Sequence, residues 1–297
     1  MSVAVETIAL SKRYGPTLAV DELSITVREG EVYGFLGPNG AGKTTTLRML
    51  LGLIRPTSGS VRLFGEPPRG LARVGALIEG PAFYPYLSGR TYLRVLADHA
   101  GVGRRRVDEV LDLVELTDRA GDKYRTYSLG MKQRLGLAAV LLKDPDLLIL
   151  DEPTNGLDPA GMADMRRTIR GLVTEGRTVL LSSHLLAEVE QICDRVGVIN
   201  RGKLLTETTV AELTSDGGTL RVRATPAETA HTVLTALVGA DHVHVDGTAG
   251  VFDLDVPATE AARINAELVG AGVLVSELRW QEPALEDMFL RLTGVES

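Results

Sequence analysis

The sequence predicts an α/β domain built on a largely parallel sheet, followed by a smaller α+β module. Three observations carry this expectation. Short runs rich in leucine and β-branched residues alternate with helical patterns through residues 1–218, the rhythm of strands covered by helices. A glycine-rich loop ends one such run and opens a helix. The charge then changes: residues 219–297 hold 12 acidic and 5 basic side chains, whereas residues 1–218 are balanced at 27 of each. The turn-rich stretch Ser215-Asp216-Gly217-Gly218 at this change suits a linker, so the expected domains are 1–218 and 219–297.

The elements follow in chain order. Ile25 and Val27 alternate with polar residues before a turn at Arg28-Glu29-Gly30-Glu31, and Val32–Leu36 is a short apolar strand entering the loop. Val107, Val110, Leu111 and Val114 recur at helical spacing with acidic residues on the other faces. Leu147–Leu150, Val179–Leu181 and Val196–Ile199 read as buried strands. In the second module Leu220–Ala224 is a strand. Thr225-Pro226 then opens a helix, with Thr225 expected at the N-cap, Pro226 at the first helical position and Glu228 completing a capping box. Strands at Val243–Val245 and Phe252–Val256, a helix from about Pro257 to Gly270, a strand around Val273–Trp280 and a helix from Pro283 complete the order. That βαββαβ order fits a ferredoxin-like module. In the last helix Leu285, Met288, Phe289 and Leu292 share one face, as core packing does.

Composition bounds the function. Hydrophobic residues make up 44% and charged residues 24%, near the globular average, so a sizeable core is expected. The net charge of −7 argues against nucleic-acid binding, which needs a basic surface. No apolar run approaches the roughly 20 residues that span a bilayer. Glu6 and Lys12-Arg13 near the start do not fit a secretory signal, and a soluble, cytoplasmic chain is expected. Cys193 alone excludes an internal disulfide and a multi-cysteine metal site. His231, His242 and His244 lack zinc-site spacing.

Gly37-Pro38-Asn39-Gly40-Ala41-Gly42-Lys43-Thr44, followed by Thr45, matches the phosphate-loop pattern between strand and helix. Glycines bring backbone N–H groups close to a triphosphate, and the helix beginning near Lys43 points its positive end at the same charge. Lys43 should reach the β- and γ-phosphates, with the Thr44 hydroxyl on Mg²⁺. The loop alone does not separate ATPases from GTPases or kinases, although a guanine-reading Asn-Lys-x-Asp run is missing.

Further segments, in order, resemble the ATP-binding cassette family across residues 1–218. They are Tyr14 in Ser11–Gly15, Glu79 in Val74–Pro81, Ser128-Leu129-Gly130-Met131-Lys132-Gln133-Arg134, Leu147–Leu150 with Asp151-Glu152 and Pro153–Asp158, and Ser183-His184. The resemblance implies a RecA-like core with antiparallel β and helical subdomains, ATP and Mg²⁺ as ligands, and ATP hydrolysis. Tyr14 would stack on adenine. Asp151 would hold Mg²⁺ with Thr44, and Glu152 would polarise the attacking water. His184, 33 residues past Asp151, would contact the γ-phosphate. Ser128 and Gly130 would serve the nucleotide held by a second copy, and Asp158 would contact that copy, which implies a homodimer with two composite sites. Permease subunits on a separate chain, at the cytoplasmic face of the membrane, are implied as partners.

Two departures refine the resemblance. The signature has Leu129 and Met131 where the family usually has glycine and glutamine. Glu79 stands where the family has glutamine, adding a charge near Mg²⁺. Both features, with Ile78–Pro85, are similar to bacitracin-resistance and lantibiotic-immunity exporters, implying efflux of a drug, antibiotic peptide or lipid-like compound. The C-terminal segment Glu282–Leu292 is similar to the tails of small bacterial exporter subunits. An importer remains the nearest alternative, and a soluble cassette ATPase acting on ribosomes or DNA a further one.

Overall fold

The computed structural model describes residues 2–68, 71–80, 83–215, 218–247 and 250–281. The chain divides into two compact units, Met1–Val210 and Ala211–Ser297.

The first unit opens with β1 (Val3–Tyr14), β2 (Thr17–Leu23) and β3 (Thr26–Arg28), then β4 (Val32–Leu36), α1 (Lys43–Leu50), β5 (Ser58–Leu63) and β6 (Val74–Leu77). Three helices follow: α2 (Gly89–Ala100), α3 (Arg104–Leu113) and α4 (Leu129–Leu141). The chain returns through β7 (Leu147–Asp151), α5 (Pro159–Thr174), β8 (Thr178–Ser183), α6 (Leu186–Ile192), β9 (Arg195–Asn200) and β10 (Lys203–Thr209), and α7 (Val210–Ser215) begins at the division between the units.

Six strands form one sheet in the order β10-β9-β4-β8-β7-β6. Its pairs are parallel except β10–β9. Every residue of β4, β7 and β8 is buried, which explains why these strands read as continuous apolar runs rather than alternating ones. A separate antiparallel sheet joins β2, β1 and β3, with β5 also on β1. Helix α1 lays Leu47 and Leu50 into a core that includes Phe35, Ile149, Leu180 and Ile199. Each buried leucine contributes roughly 1.5–3 kcal/mol, fixing the helix that carries the phosphate loop against the sheet.

Between β6 and β7, α2 begins at Ser88, whose side chain accepts from Thr91 N–H, and stops at Gly101 in the left-handed region. The helical spacing at 107–114 is realised in α3: Val107, Val110, Leu111 and the following Val114 are all buried. This three-helix segment, the parallel core and the antiparallel sheet are the RecA-like layout expected from sequence.

The second unit contains β11 (Thr219–Thr225), α8 (Ala227–Val238), β12 (Val243–Val245), β13 (Val251–Leu254), α9 (Ala261–Gly270) and β14 (Leu274–Gln281). The sheet order is β12-β13-β11-β14, antiparallel throughout, a ferredoxin-like arrangement. Leu220, Val222, Leu234, Phe252, Ile264 and Leu268 are among its buried core. The expected cap at Thr225 is corrected. Thr225 is the last residue of β11, paired with Leu274, and Pro226 takes the N-cap position without a side-chain cap bond. The ladder holds the Thr225 backbone, so the helix starts after Pro226. The helix expected from Pro283 lies outside the described residues, as do Pro81 and Ala82.

Candidate nucleotide site

The parallel sheet brings three strand ends side by side. β4 and β8 are neighbours with Leu36 opposite Ser183, and β7 and β8 are neighbours with Asp151 opposite Ser182. The residues that leave these strands are Gly37, Glu152 and His184. The carboxyl edge of a parallel sheet is where such folds place ligands.

The phosphate loop turns into α1 through Gly42, which has φ 109°. A Cβ there would lie 2.6 Å from the Ala19 carbonyl oxygen of β2, so both conformation and space demand glycine. Having no side chain, Gly42 cannot cap the helix, and the N–H groups of the first turn stay directed at the loop. Lys43 is 6% exposed. Its Nζ donates to the Gly37 carbonyl at 2.6 Å and the Pro38 carbonyl at 3.3 Å, and lies 3.2 Å from Glu152 Oε1. An ammonium aimed inward by backbone carbonyls and one carboxylate is poised for an anion that outcompetes them.

Asp151 is buried, its carboxylate divided between two hydroxyls. Thr44 Oγ1 donates to Oδ2 at 2.9 Å and Ser182 Oγ donates to Oδ1 at 2.5 Å. A hydroxyl and a carboxylate side by side are the hard oxygen donors Mg²⁺ takes, so the residues fit the ion the motif implies. Glu152 follows in the left-handed region, φ 50°, a conformation costing a non-glycine residue roughly 1–2 kcal/mol. Its N–H donates to Ser182 O at 3.2 Å and Ser182 Oγ at 3.1 Å, which holds the strained turn. The turn aims the carboxylate between Lys43 and His184, whose Nδ1 lies 2.5 Å from Oε2. The sequence did not single out Ser182. Its role depends on the β7–β8 register, and the only local signal is a serine pair at the end of an apolar strand.

Tyr14 ends β1 opposite Thr17, in the hairpin leading into β2. Its ring is 46% exposed, with Lys12 Nζ 5.0 Å from the centroid, and it is open to stacking. Glu79 has φ 63° and pairs with Arg48 of α1. Arg48 lies four residues past Thr44, one turn along the same helix face.

Ser128 and Asp158 form a second region. Ser128 caps α4, accepting from Met131 N–H at 3.3 Å. Asp158 caps α5, accepting from Gly161 N–H at 2.9 Å, with Pro159 at the first helical position. Both helix starts line a cavity of about 450 Å³ with Leu129, Gly130, Gly156 and Leu157. A Cβ on Gly156 would sit 2.8 Å from Leu129 Cδ2, so the leucine that departs from the family signature packs against the loop before α5. Away from both regions, burial pushes the Cys193 thiol strongly up, as expected of an inert core cysteine.

Comparison with known proteins agrees with this geometry. The family model for ABC transporters matches residues 20–155. The chain is 42% identical to the bacitracin transport ATP-binding protein BcrA of Bacillus licheniformis, over 99% of this chain and 98% of that one. It is 36% identical to the daunorubicin resistance ATP-binding protein DrrA3 of Streptomyces coeruleorubidus, over 98% and 96%. The solved structure of cbiO1 from Clostridium perfringens, part of the ABC transporter complex cbiONQ, is 26% identical and superposes with a TM-score of 0.67 over 72% of this chain and 91% of that one. The chain belongs to the ATP-binding subunits of ABC transporters. Membership implies binding of ATP with Mg²⁺, hydrolysis coupled to transport, and pairing with membrane subunits. Among the described residues no helix is long and apolar enough to cross a membrane.

Proposed function

We propose that this chain powers export of a drug, antibiotic peptide or lipid-like compound, of the kind its bacitracin- and daunorubicin-related relatives are named for, through separate permease subunits. In this reading Gly37–Thr45 bind the triphosphate, Tyr14 stacks on adenine, and Thr44, Asp151 and Glu79 serve Mg²⁺. Residues 1–218 form the nucleotide-binding domain, and 219–297 an accessory domain.

The Glu152 carboxylate, shared by Lys43 and His184, carries the hydrolytic part of the reading. An arriving γ-phosphate offers Lys43 a stronger anion than Glu152. Once released, Glu152 can accept a proton from the attacking water, while His184 stays close to the transferring group. Thr44 and Asp151 would hold Mg²⁺, which would supply charge neutralisation on the phosphates. To serve that ion Glu79 must leave Arg48, which lies one helical turn beyond Thr44 on α1.

Two homodimer-related copies are proposed to complete each site, with Ser128 and Gly130 of one copy meeting the γ-phosphate bound by the other and Asp158 at their contact. The α4 N-terminus at that cavity, with Arg119 and Arg134 in the same lining, favours an anion. The surface after Glu79 supports permease docking: Tyr84 is 57% and Tyr86 64% exposed, their rings 5.7 Å apart. Exposed clustered aromatics suit a protein partner.

The test is drug sensitivity of a host expressing the chain with its cognate permease. Export predicts a raised inhibitory concentration for a peptide antibiotic, lost in Glu152→Gln. Drug uptake stimulated by the intact pair would instead favour an importer.

A further inference from the structure

Glu188 sits in the first turn of α6, 4% exposed, although buried glutamates need partners to offset lost hydration. Its Oε2 accepts from Ser183 Oγ at 3.0 Å. Ser183 Oγ in turn accepts from the Leu185 N–H at 3.0 Å. Its Oε1 is buried with no hydrogen-bond partner among the described residues. The buried carboxyl therefore acts on the two residues that flank His184. The Ser183 carbonyl also accepts from the Gly37 N–H at 3.2 Å, so one residue links the start of the phosphate loop to the His184 turn. Val189 and Ile192, further along α6, are buried, which leaves Glu188 little room to move away.

We propose that Glu188 is a positioning residue: through Ser183 it fixes the turn on which His184 meets Glu152. This rests on the reading of Glu152 and His184 as the hydrolytic pair. Without the brace, Ser183 Oγ is free to rotate, Leu185 N–H loses its aligned acceptor, and the imidazole samples orientations away from the carboxylate. The phosphate loop keeps its own contact, because that bond runs through the Ser183 main chain.

The experiment uses the full chain with Mg²⁺ and ATP, comparing Glu188→Ala, Glu188→Gln, Ser183→Ala, the Glu188→Ala/Ser183→Ala double variant and His184→Ala. Misplacing a group that acts on the reacting atoms can cost about 100-fold. Glu188→Ala and Ser183→Ala are each expected to lower kcat by about 10- to 100-fold, with KM for ATP within about 3-fold. The double variant should be no worse than the poorer single one, since both remove the same bond. Glu188→Gln keeps an oxygen acceptor for Ser183 and should recover kcat to within about 3-fold of the parent.

A second readout does not depend on turnover. The chain has five histidines, and the Cε1–H resonance of His184, assigned by its loss in His184→Ala, should move in Glu188→Ala while the other four stay. The double variant, which leaves neither a buried carboxyl nor a buried hydroxyl without its partner, keeps the test informative if a single variant folds poorly. Parental kcat in both single variants, additive losses, or an unmoved His184 resonance would overturn the inference. Parental turnover in His184→Ala would instead sink the hydrolytic reading, even with a His184 resonance that moves in Glu188→Ala.

Discussion

The edge of the parallel sheet and the cavity between α4 and α5 put their polar groups to different uses. At the sheet edge, charged and hydroxyl groups are matched within the chain: Lys43 to Glu152, Glu152 to His184, Thr44 and Ser182 to Asp151. At the cavity, Ser128 and Asp158 use their side chains to cap the helices they begin, and the lining mixes small and apolar residues with Arg119 and with Arg134, which pairs with Glu115 and Asp164. The first region holds the groups proposed for acid–base work and for holding Mg²⁺. The second offers helix N-termini and arginines, its carboxylates held by Arg134 or spent on the α5 cap. The contrast is what the proposed composite site requires: chemistry on one face, recognition of a partner's phosphate on the other.

Three substitutions break or sharpen this comparison. The largest expected effect is at the sheet edge. Gly42→Ala places a Cβ against the Ala19 carbonyl at a φ of 109°, and the loop must distort. ATP affinity should fall by at least about 100-fold, the equivalent of about 3 kcal/mol of strain, measured by fluorescent-nucleotide titration. At the cavity, Ser128→Ala removes a helix cap and should lower stability by about 1 kcal/mol, read as a lower denaturation midpoint. ATP affinity of the isolated chain should stay within about 3-fold while turnover falls, if Ser128 serves a partner's nucleotide. On nucleotide binding the smallest effect belongs to Gly156→Ala, which acts on stability. It crowds Leu129 and places an alanine at a φ of 75°, and should cost about 1–3 kcal/mol; Leu129→Ala in the same chain should restore only the part due to the clash, because the backbone strain stays. Full additivity of these two changes would show that they are not in contact.

The sequence and the structure agree most where function is written in adjacent residues. Asp151 and Glu152 could be found because an apolar strand ends in two carboxylates, and the loop at Gly37–Thr44 because its spacing is dictated by phosphate geometry. The ferredoxin-like order of the second unit was legible from alternating strand and helix patterns. What the sequence hid depends on register or on packing across the chain. Ser182 matters because β7 and β8 pair in parallel with Asp151 opposite it. Leu129 matters because it reaches Gly156, 27 residues away. Glu188 looks like an ordinary solvated acid in sequence, and only its burial beside Ser183 marks it out. Thr225 misled as a cap because the local pattern of a threonine before proline ignored the ladder that extends β11 through it.

The central claim is that Glu152, released from Lys43, takes the proton of the attacking water. Steady-state hydrolysis by purified Glu152→Gln, with ATP binding measured on the same preparation, tests it most directly. A general base contributes about 10²–10⁴-fold, so turnover should fall within that range or below while ATP binding persists and a nucleotide-bound dimer accumulates. Parental turnover with intact ATP binding would contradict the account.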